Sequence, residues 1–254
     1  MNTTTVVEEI QRIKNNIENA YSSLEEIGAT LPEERNSDNL QIVIKEVPVG
    51  GGDEELEGSY RSMLDTTAGS NCTKLPNGIT SLRDYAFYYC TNLAIKELPK
   101  TLTYIGKSAF ANCTNLELTE IWGGLKSGST YVTIQQNCYL SCTKLKNIKI
   151  ININNPNNYP IHLDNKCFQK CTGLLSVEFD EKVAAIADYT FDGCTNLKTL
   201  ICRGATPPKI YTTSFNSVPL EAIYVPDAAL STYRSASNWS KFSSLMKPLS
   251  EYGG

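Results

Sequence analysis

From about residue 56 onward, apolar residues recur in a fixed order: an aromatic, a cysteine three residues later and a leucine three beyond that. The clear copies are Phe87-Cys90-Leu93, Phe110-Cys113-Leu116, Tyr139-Cys142-Leu145, Phe168-Cys171-Leu174 and Phe191-Cys194-Leu197. Cys72-Thr73-Lys74-Leu75 reads as a degenerate first copy, and Ser214-Phe215 with Leu220 as a degenerate last one. The repeat cysteines from Cys90 to Cys194 are spaced 23, 29, 29 and 23 residues apart. A period in this range specifies a solenoid, whose coils bury their apolar faces only against their neighbours. After each leucine the pattern switches to alternation, as in Ile148/Ile150, Val177/Phe179, Leu200/Cys202 and Ile223/Val225. Alternate residues of a strand point to one face, so these segments are expected to stack as a parallel sheet along one side. The aromatic segments then form the opposite wall as a turn or short helix, with Phe87, Phe110, Phe168, Phe191 and Phe215 stacked in the core.

Upstream the period changes. Val6, Ile10, Ile13, Ile17, Ala20, Leu24 and Ile27 alternate in steps of four and three, between a Thr5/Glu8 capping box and Gly28. This seam predicts a helix suited to a coiled coil, and its β-branched residues suit a homotrimer. The alternative is a helical hairpin, in which a second helix capped by Ser37 and carrying Leu40, Ile44 and Val47 folds back. The expected domains are a helical segment over residues 1–48, a Gly-rich acidic linker over 49–55, and the solenoid over 56–249. From about residue 203 the repeat gives way to a C-terminal cap. A solenoid end exposes an apolar cross-section, and residues 226–249 read as an amphipathic, helix-like cover with Trp239 as its plug.

Composition changes this picture little. The formal charge is -4 with scattered Lys and Arg, which offers no nucleic-acid surface. No apolar run approaches the ~18 residues of a membrane span. Met1–Glu9 has neither the basic start nor the apolar core of a Sec signal, so the chain is expected either to work where it is made, to leave by another route such as lysis, or to follow an upstream leader outside this sequence. The nine cysteines mostly occupy one repeat position, where a small apolar side chain packs. Coils about 5 Å apart leave disulfides open by spacing; the odd count and the leaderless start favour free, buried thiols. With one histidine, His162, the chain offers little metal-ligand chemistry, and no metal or cofactor is expected. No GxGxxG, P-loop, HExxH or GxSxG phrase is present, and the reading is non-enzymatic.

Two neighbouring repeats each carry six extra residues, within Trp122–Tyr131 and Ile151–His162. Insertions in solenoids gather on one edge, often the binding face, and Tyr, Asn and Ser suit adaptable recognition. Trp122, Tyr131, Asn157 and Tyr159 are therefore the candidate contacts to a surface protein or glycan. The outward row of the sheet, Glu97, Glu120, Lys149, Glu178, Ile201 and Tyr224, reads mainly as a solubilising charge ladder. Ile201 and Tyr224 at its end form a candidate apolar contact patch.

The phrases Ile105-Gly106-x-x-Ala109-Phe110-x-x-Cys113-Thr114-Asn115-Leu116, Ala205-Thr206-Pro207-Pro208, Ile223-Tyr224-Val225-Pro226, Tyr233 and Trp239 resemble the BspA-like leucine-rich repeat family over residues 70–249. That resemblance implies a leucine-rich-repeat fold of class α/β and a cell-surface adhesion role in bacteria, with no catalytic residues to carry over. Ile13–Tyr21, Gly28-Ala29-Thr30-Leu31-Pro32 and Asn36–Leu40 resemble the start of tail-associated structural proteins of phages and prophages. This second resemblance implies virion display, in which the solenoid either recognises a receptor or serves as a structural spacer.

Overall fold

A computed structural model describes residues 73–75, 79–125, 128–153, 155 and 157–253. The heptad positions Val6, Ile10, Ile13, Ile17, Leu24 and Ile27, the helical segment and the 49–55 linker lie outside the described residues.

The chain winds as a solenoid with two stacked sheets rather than the single one expected. A short pair, β1 (Ser81–Leu82) and β2 (Tyr104–Ile105), opens it. The first sheet contains β3 (Glu120–Ile121), β6 (Asn147–Ile150), β8 (Ser176–Phe179), β10 (Thr199–Cys202), β12 (Ala222–Val225) and β13 (Met246–Pro248), in that spatial order and all parallel. The second contains β4 (Gly124–Leu125), β5 (Val132–Ile134), β7 (Ile161–Leu163), β9 (Val183–Ile186) and β11 (Lys209–Ile210). Only β4 and β5 pair antiparallel there, as a hairpin inside the first insertion. The first sheet's strands alternate exposed and buried residues, as in Asn147–Ile150, because one face packs on the core.

Between the sheets runs a wall of turns, not helices. Each complete turn holds residues with left-handed backbone on either side of its aromatic, for example Ser108 and Asn112, or Lys166 and Lys170. A helix cannot pass through such φ values, so the wall proceeds as consecutive turns. Its aromatic N–H groups bond the next coil instead: Phe110 N to Cys138 O at 2.9 Å and Tyr139 N to Cys167 O at 2.8 Å. Inside this wall Phe87, Phe110, Tyr139, Phe168, Phe191 and Phe215 stack face to face, with centroids 5.3–5.5 Å apart. The expected ladder is present, with Tyr139 as its remaining rung.

The repeat cysteines have a role beyond volume. The thiols of Cys113, Cys142, Cys171 and Cys194 each donate to the carbonyl of the aromatic one coil back, at 3.0–3.1 Å. All eight described cysteines are buried. Burial holds the thiols from Cys113 to Cys202 protonated: Cys194 and Cys202 are pushed up to about 12.

The cap is less helical than its sequence suggests. It holds one short α-helix, α1 (Leu230–Ser235), followed by a 3₁₀ segment and then β13, which extends the first sheet beyond β12. Trp239 is buried against Phe215, the last rung, at 6.0 Å. Its Nε1 donates to Pro208 O at 2.7 Å, and Tyr233 Oη donates to Gly204 O at 2.9 Å. Asn238 Nδ2 and Lys241 Nζ donate to Ile210 O and Thr212 O at 2.8 and 3.0 Å. The cap's side chains thus take carbonyls along the coil that carries β11, the last strand of the second sheet.

Candidate binding edge

Each coil passes from the first sheet to the second across one edge, and both insertions lie on it. The first insertion turns back as the β4–β5 hairpin; the second begins after β6 and ends in β7. They are joined at their bases, since Val132 N donates to Pro160 O at 2.9 Å and Thr133 pairs with His162. Tyr131 then lies face to face on the His162 ring, with centroids 4.3 Å apart and planes 21° from parallel. Tyr131 remains 41% exposed, which leaves much of the ring open to a partner. Partial burial of His162 lowers its pKa, against a smaller opposing effect from Asp164.

Asn155 organises the second insertion. Its Nδ2 donates to Asn152 Oδ1 and Tyr159 O, at 2.7 and 2.8 Å, while its Oδ1 accepts from Tyr159 N at 2.9 Å. An asparagine amide satisfies neighbouring backbone groups in this way where the chain turns without a ladder partner. Asn157 is exposed at the surface of the loop. Tyr159 is half-buried and packs against the core.

Two of the sequence-predicted contacts face inward, which corrects the expectation for them. Trp122 is 3% exposed and its Nε1 donates to Leu102 O at 3.1 Å, so the ring fills the core beneath the first insertion. Ile201 is 1% exposed, although its register position lies between Glu178 and Tyr224. The apolar patch expected there is also occupied by the chain itself. Tyr252, after the last strand, packs on Tyr224 with centroids 4.9 Å apart, and Lys247 lies over the same ring at 5.9 Å.

The rest of the outward row is the charge ladder its sequence suggests. Glu120, Lys149, Glu178, Ile201, Tyr224 and Lys247 are in register across the first sheet. Glu178 pairs with Lys149 at 3.8 Å and with Arg203 at 2.9 Å. Sequence reasoning missed Arg203, which lies just past its strand, and the pairing of His162 with Tyr131, which links two coils. The repeat register gave no signal for the second, because His162 lies opposite Thr133 while Tyr131 precedes β5. Among the described residues no group of His, Cys, Asp or Glu side chains converges as metal ligands. No helix among them is long and apolar enough to cross a membrane.

A leucine-rich repeat protein of T. pallidum is similar over 50% of this chain and 53% of its own, with 24% identity and a TM-score of 0.37. One from Bacteroides ovatus ATCC 8483 is similar over 68% of this chain and 52% of its own, with 20% identity and a TM-score of 0.33. The chain thus spans about half the length of either structure. No curated protein matches it. The BspA-type leucine-rich repeat model matches residues 66–161 and 161–247, in six copies. With its aromatic ladder, stacked strands and capped end inside that span, the chain belongs to the BspA-type leucine-rich repeat family.

Proposed function

We propose that the protein is a non-enzymatic recognition module, which binds a protein or glycan on a host or neighbouring cell through its insertion edge. Leucine-rich repeats of this family generally serve protein binding or adhesion and are often surface-associated. The observation that carries the reading is the stack of exposed Tyr131 on His162, which joins the two inserted connections of this edge into one rim. Tyr131 and Asn157 are its contact residues, and Tyr159 supports the loop that presents Asn157. The rim sits on a bacterial surface or a phage tail, with the N-terminal heptads as a trimerising element that turns a weak contact into avidity.

Adhesion of fluorescent protein to bacterial and epithelial cells tests the rim. Tyr131→Ala combined with Asn157→Ala should lower adhesion about tenfold or more. Unchanged adhesion would sink the rim reading, and no adhesion by the parent protein would favour the structural-spacer role. Light scattering of the full chain and of a chain starting at residue 56 tests display. A trimer that becomes a monomer on truncation supports the heptad reading, and a monomer in both cases removes it.

A further inference from the structure

Beside the second insertion the edge drops abruptly. The connection after β6 runs from Ile151 to Pro160, whereas the next one, after β8, is only Asp180–Lys182. This difference in height leaves an open cleft of about 270 Å³ at the end of the first sheet, walled by Lys149 and Ile151 on one side and by Glu178, Asp180, Glu181 and Arg203 on the other. Its volume is that of about nine liquid waters, enough for one sugar ring.

We propose that this cleft binds one unit of a neutral, polyhydroxylated glycan, an inference that rests on the recognition reading above only in taking a surface glycan as partner. The charges in the cleft select that chemistry. Glu178 is shared between Lys149 at 3.8 Å and Arg203 at 2.9 Å, and Asp180 is oriented by Lys182 N, which donates to its Oδ1 at 2.9 Å. Glu181 is exposed at the rim. An incoming anion meets the carboxylates of Glu178, Asp180 and Glu181, and an incoming cation meets Lys149 and Arg203. A hydroxyl suits both sets, because it donates to a carboxylate and accepts from an ammonium or guanidinium. Adjacent hydroxyls on a sugar ring make both kinds of bond at once. Half-buried Ile151 offers an apolar surface to the ring's C–H face. Glu178 is engaged by Lys149 and Arg203, and Asp180 by a backbone N–H, so the cleft's role is to hold the sugar rather than cleave it.

Titration calorimetry of the full chain is the test, with oligosaccharides of glucose, mannose, galactose and N-acetylglucosamine as probes. Oligogalacturonate and a sulfated hexasaccharide serve as charged comparators. The expected result is binding of at least one neutral probe with a Kd of about 1 mM or tighter, insensitive to added salt. Glu181→Ala, at an exposed site, should weaken that binding about tenfold and leave the urea midpoint unchanged. Tyr131→Ala should leave it intact, which separates this cleft from the rim. Failure of every neutral probe, or tighter binding of a charged comparator, overturns the proposal. So does an affinity that neither Glu181→Ala nor Lys149→Ala alters. Binding weakened by Tyr131→Ala alone would also overturn it while leaving the rim reading standing.

Discussion

The turn wall and the insertion edge are two sides of the same coils, built on opposite rules. On the wall the same contacts recur: a ring on the ring below, a thiol on the carbonyl one coil back in four successive coils, and backbone turns with left-handed residues in fixed places. On the edge no two neighbouring connections described above match; one is a hairpin, the next an asparagine-braced loop and the next only Asp180–Lys182. Because coils interact mainly with adjacent coils, cohesion concentrated in the wall leaves the edge free to vary in length and chemistry. Stability and recognition can then be altered separately. Each prediction below breaks or sharpens that division.

The largest effect should come from alkali. The thiols of Cys113, Cys138, Cys142, Cys167, Cys171, Cys194 and Cys202 have a folded pKa well above the unfolded value of about 8.5, so the unfolded state binds fewer protons as pH rises. Stability is therefore full below about pH 8.5 and falls above it, by about 2 kcal/mol per thiol at pH 10. Across these seven thiols this reaches the order of a domain's whole stability. Urea midpoints should drop steeply between pH 8 and 10, and a flat profile would show that the thiols do not hold the wall. Phe168→Ala, which removes a central rung, should cost about 3–5 kcal/mol in the same assay. Trp239→Phe keeps the ring but strands the buried Pro208 carbonyl, at a cost of about 1–3 kcal/mol.

Tyr139→Phe should go the other way. The Tyr139 hydroxyl is fully buried without a hydrogen-bond partner, and the Cys138 thiol lies beside it without hydrogen-bond geometry. Its removal should raise stability by about 1 kcal/mol. Tyr131→Ala should change stability least, within about 0.5 kcal/mol, because it lies on the exposed rim. A loss comparable to that of Phe168→Ala would mean that the edge also carries the fold, and the comparison would fail.

The parts legible in the sequence were those that repeat. Ring, thiol and leucine stay in register through several copies, so the ladder and the parallel stacking of strands follow from the sequence, and the break in that register past Cys202 marks the cap. The second sheet was not legible, because strands such as Lys209–Ile210 are too short to show a period-two pattern. β13 was hidden by Pro248, which suits an edge strand but masks it in the sequence. Trp122 was misread because an insertion has no register from which to infer its facing. For Ile201 the register was right; burial of that position and the return of the tail over Tyr224 were not visible in the repeat. Tyr131 alone among the rim candidates combined broad exposure with a defined ring partner, and that partner lies in another coil, beyond the reach of local pattern.

The row of cap side chains on Gly204, Pro208, Ile210 and Thr212 has a consequence for how such a protein can lengthen. Once those carbonyls are taken, the second sheet's last strand cannot template another, whether from its own chain or from a neighbouring molecule. Growth by gene duplication is therefore confined to coils upstream of the cap, where a duplicated unit would find the same ring and thiol contacts waiting on both sides. Length can change by whole coils in the middle while the finished end stays the same, and the molecule remains a rod with a stop rather than the seed of a fibre.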